Sequence, residues 1–173
     1  MNYALCIMNY ALNYKLKKIM KILFVCLGNI CRSPLAEGVM KKMCADRNLD
    51  WEIDSAGLIG YHKGELPDPR MMTTAERHGY KLTHRSRPIV SEDFTKFDLI
   101  IGMSAYINDR ILRDTPHSMA DRRKVRNIAE YFVNTKDYDE VPDPYCGTMR
   151  DFELAVRLIE DACVGILDAV THQ

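Results

Sequence analysis

The sequence predicts one three-layer α/β domain, with helices on both faces of a four-stranded parallel sheet. Short, continuous apolar runs such as residues 21–26 are typical of strands buried on both faces. These runs alternate with segments of helical periodicity, and right-handed crossovers place such strands parallel in one sheet. The chain has 173 residues, of which 47% are hydrophobic and 28% charged, which suits a single soluble globular domain.

The overall charge and the length of the apolar runs argue against two classes of partner. The 24 Lys and Arg residues are balanced by 24 Asp and Glu, so the whole chain has no net attraction for nucleic acid or an anionic membrane. No apolar run reaches the ~20 residues that a membrane-spanning helix needs. Six cysteines in a chain of this length fit reduced thiols better than a disulfide-stapled secreted scaffold. We therefore expect a cytoplasmic protein without nucleic-acid or membrane partners.

Residues 1–19 differ from the rest of the chain. They contain three lysines and no acidic residue, and the segment Met1–Leu5 recurs as Met8–Leu12. Residues 20–173 then carry 21 basic and 24 acidic side chains, which is a net charge of −3. Because the lysines follow the apolar stretch, their order is wrong for a secretory signal. We expect residues 1–19 to be a disordered extension or to lie upstream of a true start at Met20, and the folded domain to cover 20–173.

The first half of the domain is predicted to contain two strands and two helices. The apolar run 21–26 is the first strand. Ser33 and Pro34 then supply an N-cap and a first-turn proline, so a helix is expected to begin there and to fade near Asn48. The second strand is predicted at Trp51–Ser55, a Gly/Pro-rich loop at 58–68 and the second helix at Arg70–Arg77.

The second half is predicted to add two strands and three helices. Ser104 follows a buried apolar run and predicts the N-cap of a helix. Thr148 and Asp151 have the spacing of a capping box, and the apolar residues that follow them share one helical face. The predicted elements are a short helix at Ser91–Lys96, a strand at Asp98–Met103, a helix from Ser104 towards Leu112, a basic surface loop over 113–124, a strand at Lys124–Ile128 and a final helix after Thr148.

The most informative segment is Cys26-Leu-Gly-Asn-Ile-Cys-Arg-Ser33, which lies between the first strand and the first helix. Ligands of open α/β sheets bind at the carboxyl ends of strands, where loop amides and a helix N-terminus attract an anion. Gly28 permits close backbone approach, and Asn29 tolerates a left-handed conformation. The surroundings favour a thiolate at Cys26, and the planar fork of Arg32 suits two phosphoryl oxygens. We therefore predict a phosphate-binding loop that consists of Leu27, Gly28, Asn29, Ile30, Cys31, Arg32 and Ser33.

In this loop the sequence closely resembles the low-molecular-weight protein tyrosine phosphatases. The whole family signature is present as Val25-Cys-Leu-Gly-Asn-Ile-Cys-Arg-Ser-Pro-Leu-Ala-Glu37. Val141-Pro-Asp-Pro-Tyr145 matches the motif that supplies the general acid of the family. Further matches in the family order are Asp54–Gly57, Pro67–Arg70, Arg77–Gly79 and the pair His84 and Arg87. The resemblance runs from about Lys21 to the final helix.

The resemblance implies hydrolysis of protein phosphotyrosine through a cysteinyl-phosphate intermediate, with an acidic pH optimum. Cys26 would attack phosphorus while Arg32 and the loop amides hold the phosphoryl oxygens. Asp143 would protonate the departing phenolate and then activate water, a role that requires this carboxyl to hold a proton beside the dianion. No cofactor and no metal are expected, because the five histidines are scattered and none has zinc-ligand spacing with a cysteine.

The resemblance also implies roles for residues around the loop. A hydrogen-bond network that supports the loop is expected from Asn29, Ser33, Ser55 and His84. The rim that flanks an aryl substrate is expected from Leu27, Ile30, Tyr61 and Tyr145. Cys31 would be a redox guard, because a resolving thiol near a reactive thiolate can trap it as a disulfide. Cys146 stands where many relatives have a second aromatic residue, which thins one wall of the cleft.

Three alternative functions remain open. Arsenate reduction on this fold needs further redox cysteines, and the window 96–106, where they are expected, contains none. The phosphoarginine phosphatases of the family carry Thr where this chain has Ile30. A catalytically silent phosphopeptide-binding module need retain neither Cys26 nor Asp143. Under the favoured function, the partners are a phosphotyrosine protein and a tyrosine kinase, and the protein is a monomer or weak homodimer.

Overall fold

Strand β1 (Lys21–Cys26) lies inside the sheet and pairs in parallel with β2 (Glu52–Gly57) and β3 (Leu99–Gly102). Strand β4 (Val125–Asn127) pairs in parallel with β3, so the order across the sheet is β2-β1-β3-β4. The computed structural model describes residues 19–171. The predicted four-stranded parallel sheet is therefore confirmed.

Helices cover both faces of this sheet. The helices are α1 (Arg32–Asp46), α2 (Pro69–Arg77), α3 (Ser91–Lys96), α4 (Ala105–Asp114) and α5 (Met149–Thr171). Successive residues of a strand point to opposite faces, so β1 contributes to two separate apolar cores. Ile22 and Phe24 pack with buried residues of α1, α2 and α5, whereas Leu23 and Val25 pack with those of α3 and α4. This arrangement confirms the predicted three layers.

Several element boundaries differ from the prediction. Strand β2 continues to Gly57, because Ala56 and Gly57 still pair with Val25 and Cys26 of β1. The predicted basic loop over 113–124 is partly regular: α4 continues to Asp114 and a 3-10 turn covers Asp121–Lys124. A second 3-10 turn, Ile128–Tyr131, follows β4 directly.

The start of α1 also differs from the prediction. The N-cap is Cys31 and makes no side-chain capping bond, whereas Ser33 lies inside the first turn and is fully buried. The predicted N-cap at Ser33 is therefore wrong, because the helix already begins at Arg32. The hydroxyl of Ser33 instead lies 3.1 Å from the Sγ of Cys26 in β1 and 3.2 Å from the carbonyl oxygen of Ala56 in β2. Ser104 does cap α4, since its hydroxyl accepts a hydrogen bond from the backbone N–H of Ile107 at 3.3 Å.

Helix α5 begins one residue after Thr148, as the capping signal predicts. The carboxylate of Asp151 accepts hydrogen bonds from the backbone N–H of Thr148 at 2.6 Å and from its hydroxyl at 2.9 Å. Of the apolar residues predicted to share one face, Ala155, Leu158, Ile159, Ala162 and Ile166 are buried, whereas Leu154, Ala169 and Val170 are half-buried. Phe152, Val156, Cys163 and Leu167 are buried as well. The buried surface of α5 is thus wider than the predicted stripe, because it packs against α1, α2 and the 3-10 turn before it.

Within residues 19–171, no helix has both the length and the apolar character needed to cross a membrane. The prediction about the extension 1–19 concerns residues that, apart from Ile19, lie outside the described part of the chain. That prediction therefore stays a prediction.

Candidate active site

The loop at 27–31 connects the carboxyl end of β1 to the start of α1. Its Asn29 has a φ of 55°, in the left-handed region that asparagine tolerates better than most residues. Gly57 lies against this loop, and a Cβ on it would be 2.9 Å from the carbonyl oxygen of Leu27 and 3.0 Å from the amide nitrogen of Asn29. Glycine at the end of β2 therefore allows the sheet to approach the loop backbone closely.

The buried thiol of Cys26 receives one hydrogen bond from this loop and one from the first turn of α1. The backbone N–H of Asn29 donates to its Sγ at 3.2 Å, and the hydroxyl of Ser33 donates at 3.1 Å. Hydrogen bonds donated to sulfur stabilise a thiolate relative to the thiol. The local geometry therefore suits a nucleophilic sulfur at Cys26.

Four carbonyl groups of the loop are bonded to its surroundings. Those of Cys26 and Leu27 accept from the backbone N–H groups of Leu58 and Ile59 at 3.0 and 3.1 Å. The carbonyl of Gly28 accepts from the hydroxyl of Ser86 at 3.1 Å, and that of Ile30 accepts from the N–H of Asp68 at 2.8 Å. In a trans peptide the N–H points opposite to the carbonyl, so the N–H groups of the same peptides are directed away from these partners. Such a set of amides makes an anion-binding concavity.

Arg32 joins the loop to the segment that contains Asp143. Its side chain is only 7% exposed, and its NH1 donates to the carbonyl of Val141 at 3.1 Å. Its NH2 forms an ion pair with the Oδ2 of Asp143 at 2.5 Å. The fold thus brings together the predicted catalytic residues Cys26, Arg32 and Asp143, which line one cleft.

The amide of Asn29 is bonded on both sides. Its Nδ2 donates to the hydroxyls of Ser33 at 2.9 Å and Ser55 at 3.0 Å. Its Oδ1 lies 2.9 Å from the Nε2 of His84 and accepts from the backbone N–H of Arg87 at 2.9 Å. The four residues predicted to support the loop are therefore in direct contact through one asparagine.

Glu37 completes this network and is a residue whose role the sequence analysis missed. Its buried carboxylate accepts from the hydroxyl of Ser55 at 2.6 Å and lies 2.9 Å from the Nδ1 of His84. Burial alone would raise the pKa of Glu37, but hydrogen bonds from His84, Lys41 and Ser55 outweigh it and lower the pKa. Both ring nitrogens of His84 lie within hydrogen-bond distance of an oxygen, Nε2 of the Oδ1 of Asn29 and Nδ1 of the carboxylate of Glu37. An acidic residue one turn after Ser33 is the sequence signal for such a role.

One group of side chains in the described part of the chain has the spacing of a metal site. Ligand atoms of Glu37, Asp54 and His84 lie within 4.8 Å of one another. A cation there would compete with the contact between the imidazole of His84 and the carboxylate of Glu37, and with the bond from Ser55. The expectation that no metal takes part stays a prediction.

The cleft above Cys26 has a volume of about 190 Å³. Three of the predicted rim residues, Leu27, Ile30 and Tyr145, line it. The structure places Tyr61 outside the lining residues: the residue is 82% exposed, and its ring packs edge-on against His62. Ile59 and His62, neither of which was predicted, line the cleft instead. The glycine-rich turn around them gave no period from which the direction of these side chains could be read.

The other thiols have different surroundings. Burial, with further contributions from Asp68, Cys26 and Asp143, raises the pKa of Cys31 far above its ordinary value, so this thiol is neutral. Cys44 and Cys163 are buried in the core, and Cys146 is exposed. The described cysteines are all free thiols in the structure. The redox role of Cys31 stays a prediction.

A family model and relatives from several organisms match most of this chain. The family model described as low molecular weight phosphotyrosine protein phosphatase matches residues 21–173. A low molecular weight protein-tyrosine-phosphatase of Streptomyces coelicolor is 39% identical, covering 88% of this chain and 94% of that protein. The human low molecular weight phosphotyrosine protein phosphatase is 36% identical, covering 85% of this chain and 93% of that protein.

Solved structures share the fold of this chain. A protein tyrosine phosphatase from Entamoeba histolytica, crystallised with Hepes in its active site, has a TM-score of 0.84 and 39% identity, covering 88% of this chain and 97% of its own. A Drosophila arginine phosphatase has a TM-score of 0.77 and 34% identity, covering 87% of this chain and 97% of its own. The chain therefore belongs to the low molecular weight phosphotyrosine protein phosphatase family.

Proposed function

We propose that this protein hydrolyses phosphotyrosine in proteins through a cysteinyl-phosphate intermediate. The observation that carries the proposal is one cleft that contains the hydrogen-bonded sulfur of Cys26, the guanidinium of Arg32 and the carboxyl of Asp143. These are the nucleophile, the phosphate clamp and the proton donor that this reaction needs. Family membership supports the same reaction.

In the first step, the thiolate of Cys26 attacks phosphorus, a sulfur–phosphorus bond forms and the bond to the phenolic oxygen breaks. Asp143 gives its proton to the departing phenolate, which leaves as the neutral phenol. Arg32 and the loop amides neutralise the charge that spreads over the three other oxygens. A dianion at Arg32 competes with Asp143 for the guanidinium, which favours the protonated carboxyl that this step requires.

In the second step, Asp143 acts as a base and removes a proton from water as the water oxygen attacks phosphorus. The sulfur–phosphorus bond breaks, inorganic phosphate leaves, and Cys26 returns to the thiolate. The hydrogen bonds from Asn29 and Ser33 stabilise this sulfur as a leaving group, because they favour its charged form.

Turnover of phosphotyrosine peptide and p-nitrophenyl phosphate by three proteins tests the reaction. The wild type is expected to be active and Cys26→Ser to lose activity to the background level. Asp143→Asn is expected to lose about 10²–10⁴-fold in kcat/KM on phosphotyrosine, the usual contribution of a general acid. Undiminished activity in Cys26→Ser would contradict the mechanism. Cys44→Ser, which alters a buried thiol that does not line the cleft, is the matched control.

Phosphoarginine is a second candidate substrate, because one solved relative is named an arginine phosphatase. Ile30 lines the cleft in this chain and has no hydroxyl to bond a guanidino group. We therefore expect phosphotyrosine to be hydrolysed with a higher kcat/KM than phosphoarginine, and Ile30→Thr to shift the ratio towards phosphoarginine. Arsenate reduction and silent phosphopeptide binding are tested in parallel, by thiol-dependent reduction of arsenate and by binding of phosphopeptide without turnover.

Partners and compartment belong to the same proposal. A phosphotyrosine protein, with the tyrosine kinase that produces it, is the expected partner. The five described cysteines are free thiols, which suits the reducing cytoplasm. Cys31 lies in the same loop as Cys26, and we expect peroxide to join the two in a reversible disulfide that protects Cys26.

A further inference from the structure

Arg70 lies in the first turn of α2 and contacts the segment that follows Asp143. Its NH2 donates to the backbone carbonyl of Tyr145 at 3.0 Å. Its guanidinium carbon lies 5.6 Å from the centre of the Tyr145 ring and 4.7 Å from that of Phe152. Phe152 is fully buried in α5, so these contacts connect the Tyr145 segment to the rigid core.

Arg70 is also anchored on the side of the phosphate loop, through Asp68. The Nε and NH2 of Arg70 donate to the two carboxylate oxygens of Asp68 at 3.0 and 2.7 Å, and its backbone N–H donates at 2.8 Å. The carboxylate of Asp68 is only 8% exposed, whereas the Arg70 side chain is 42% exposed. The hydrogen bonds from Arg70 hold the pKa of Asp68 below its ordinary value, so the pair is ionised at neutral pH.

Asp68 in turn bonds directly to the phosphate loop, because its backbone N–H donates to the carbonyl of Ile30 at 2.8 Å. Tyr145 bonds directly to Asp143, because its backbone N–H donates to the carboxyl Oδ1 at 3.2 Å. A continuous chain of contacts therefore runs from Ile30 through Asp68 and Arg70 to Tyr145 and Asp143. Its links are a bidentate ion pair and backbone hydrogen bonds, which fix direction as well as distance.

We propose that Arg70 is a positioning residue that holds Asp143 at the distance from the phosphate loop at which it protonates the leaving group. The inference rests on the proposed function and deepens it. The ion pair between Arg32 and Asp143 also joins the two segments, but the phosphate dianion competes for that guanidinium. Arg70 donates to the backbone carbonyl of Tyr145, in the segment 143–145 that we call the acid segment. This contact does not depend on the charge of Asp143.

A leaving-group series separates this role from a general effect on folding. For wild type, Arg70→Met and Arg70→Lys, kcat/KM is measured on aryl phosphates whose phenols range from acidic (p-nitrophenol) to weakly acidic (phenol, tyrosine). A misplaced acid penalises only those substrates whose phenolate needs a proton. We expect Arg70→Met to lose about 10- to 100-fold on phenyl phosphate and phosphotyrosine, and less than about threefold on p-nitrophenyl phosphate. Arg70→Lys, which loses the fork geometry, should fall between.

The matched control is Arg77→Met, on the same helix. Arg77 also makes an ion pair with α5, through Glu153, but it does not contact the acid segment. This variant loses an ion pair to α5 and should keep the leaving-group dependence of the wild type. In the Asp143→Asn background, Arg70→Met should cause no further change in the leaving-group dependence, because residue 143 no longer donates a proton.

Equal loss on all substrates in Arg70→Met and Arg70→Lys, or a fall in melting temperature with unchanged leaving-group dependence, would overturn the positioning role. If Arg70→Met does not fold, Arg70→Lys and Asp68→Asn give the same comparison. A wild type without activity on any aryl phosphate would instead overturn the proposed function, and this inference with it. The two failures are therefore distinguishable.

Discussion

Asn29 shows how much of the loop depends on one side chain. Its amide bonds to two hydroxyls, an imidazole and a backbone N–H, while its own backbone N–H reaches the sulfur of Cys26. Asn29→Ala removes the amide and also strains the backbone, whereas Asn29→Gly removes the amide but accepts the positive φ. Comparing the two variants separates the contribution of the amide hydrogen bonds to activity and stability from that of the backbone conformation.

We expect both Asn29 variants to lose about 10- to 100-fold in kcat/KM, because the loop amides and Cys26 lose their fixed geometry. Asn29→Gly should keep more of the thermal stability, since its backbone is not strained. Steady-state kinetics with p-nitrophenyl phosphate and thermal unfolding measure the two effects. Wild-type kinetics in Asn29→Gly would contradict a role for the amide network.

At the scale of single residues, motifs close in sequence were predictable from the residues themselves, whereas contacts between distant segments were predictable only through the family resemblance. Cys26 and Arg32 share one loop, so their spacing alone indicates phosphate chemistry. The role of Glu37 was not predicted, because it depends on two partners that are distant in sequence, Ser55 of β2 and His84. Tyr61 was placed on the rim, but the conformation of its turn exposes it and turns His62 to the cleft.

At the scale of elements, the contact between α5 and the 3-10 turn at 128–131 depends on Gly165. A Cβ on Gly165 would overlap the backbone carbonyl oxygen of Tyr131, which cannot move without shifting the turn. Alanine normally stabilises a helix interior by about 1 kcal/mol relative to glycine. At Gly165 the overlap makes alanine destabilising instead, because the backbone clash costs more free energy than the gain in helix propensity.

We therefore expect Gly165→Ala to lower the free energy of unfolding by ~1–3 kcal/mol. Urea or thermal unfolding measures it. Gly38→Ala in α1 is the matched control: its Cβ would meet Leu82 Cδ2 at 2.6 Å, the end of a flexible side chain, so its effect should be smaller. A Gly165→Ala protein more stable than the wild type would contradict the close packing.

Asp161 of α5 holds the segment 133–135 to the helix. Its carboxylate accepts backbone hydrogen bonds from Val133, Asn134 and Thr135, and from the hydroxyl of Thr135 at 2.6 Å. Desolvation alone would raise the pKa of Asp161, but these hydrogen bonds outweigh it and lower the pKa below its ordinary 3.8. Because the unfolded state binds the proton more tightly, the stabilisation is present above pH 3.8 and is lost as pH falls through the lower, folded pKa.

We expect Asp161→Asn to be less stable than the wild type by roughly 1 kcal/mol at neutral pH. The difference should shrink as the pH falls below the ordinary aspartate pKa. Thermal unfolding at a series of pH values checks this. Asp168→Asn, a change of an exposed residue on the same helix, is the control and should show no such pH-dependent difference. A difference that is constant with pH would contradict the ionic role of Asp161.

At the scale of the whole molecule, the fold class was predictable because burial on both faces leaves a simple signature in the strands. β1 reads as a continuous apolar run, and its alternate residues enter two different cores. Strand order was not predictable from one sequence, because no local sequence feature indicates that β3 pairs with β1 and that β4 pairs with β3. The same limitation applied to Asp143, which lies 111 positions after Arg32 and was assigned only by resemblance.

The central claim is that Cys26 carries the phosphoryl group during turnover. Rapid acid quenching of Asp143→Asn during reaction with p-nitrophenyl phosphate should trap the intermediate, because this leaving group needs no proton and the second step lacks its base. Mass spectrometry with peptide fragmentation then locates the group. The account predicts a phosphoryl group on the sulfur of Cys26, absent in the additional Cys26→Ser variant. A phosphoryl group on Cys31 or on any other residue, or burst turnover with no phosphorylated enzyme, would contradict it.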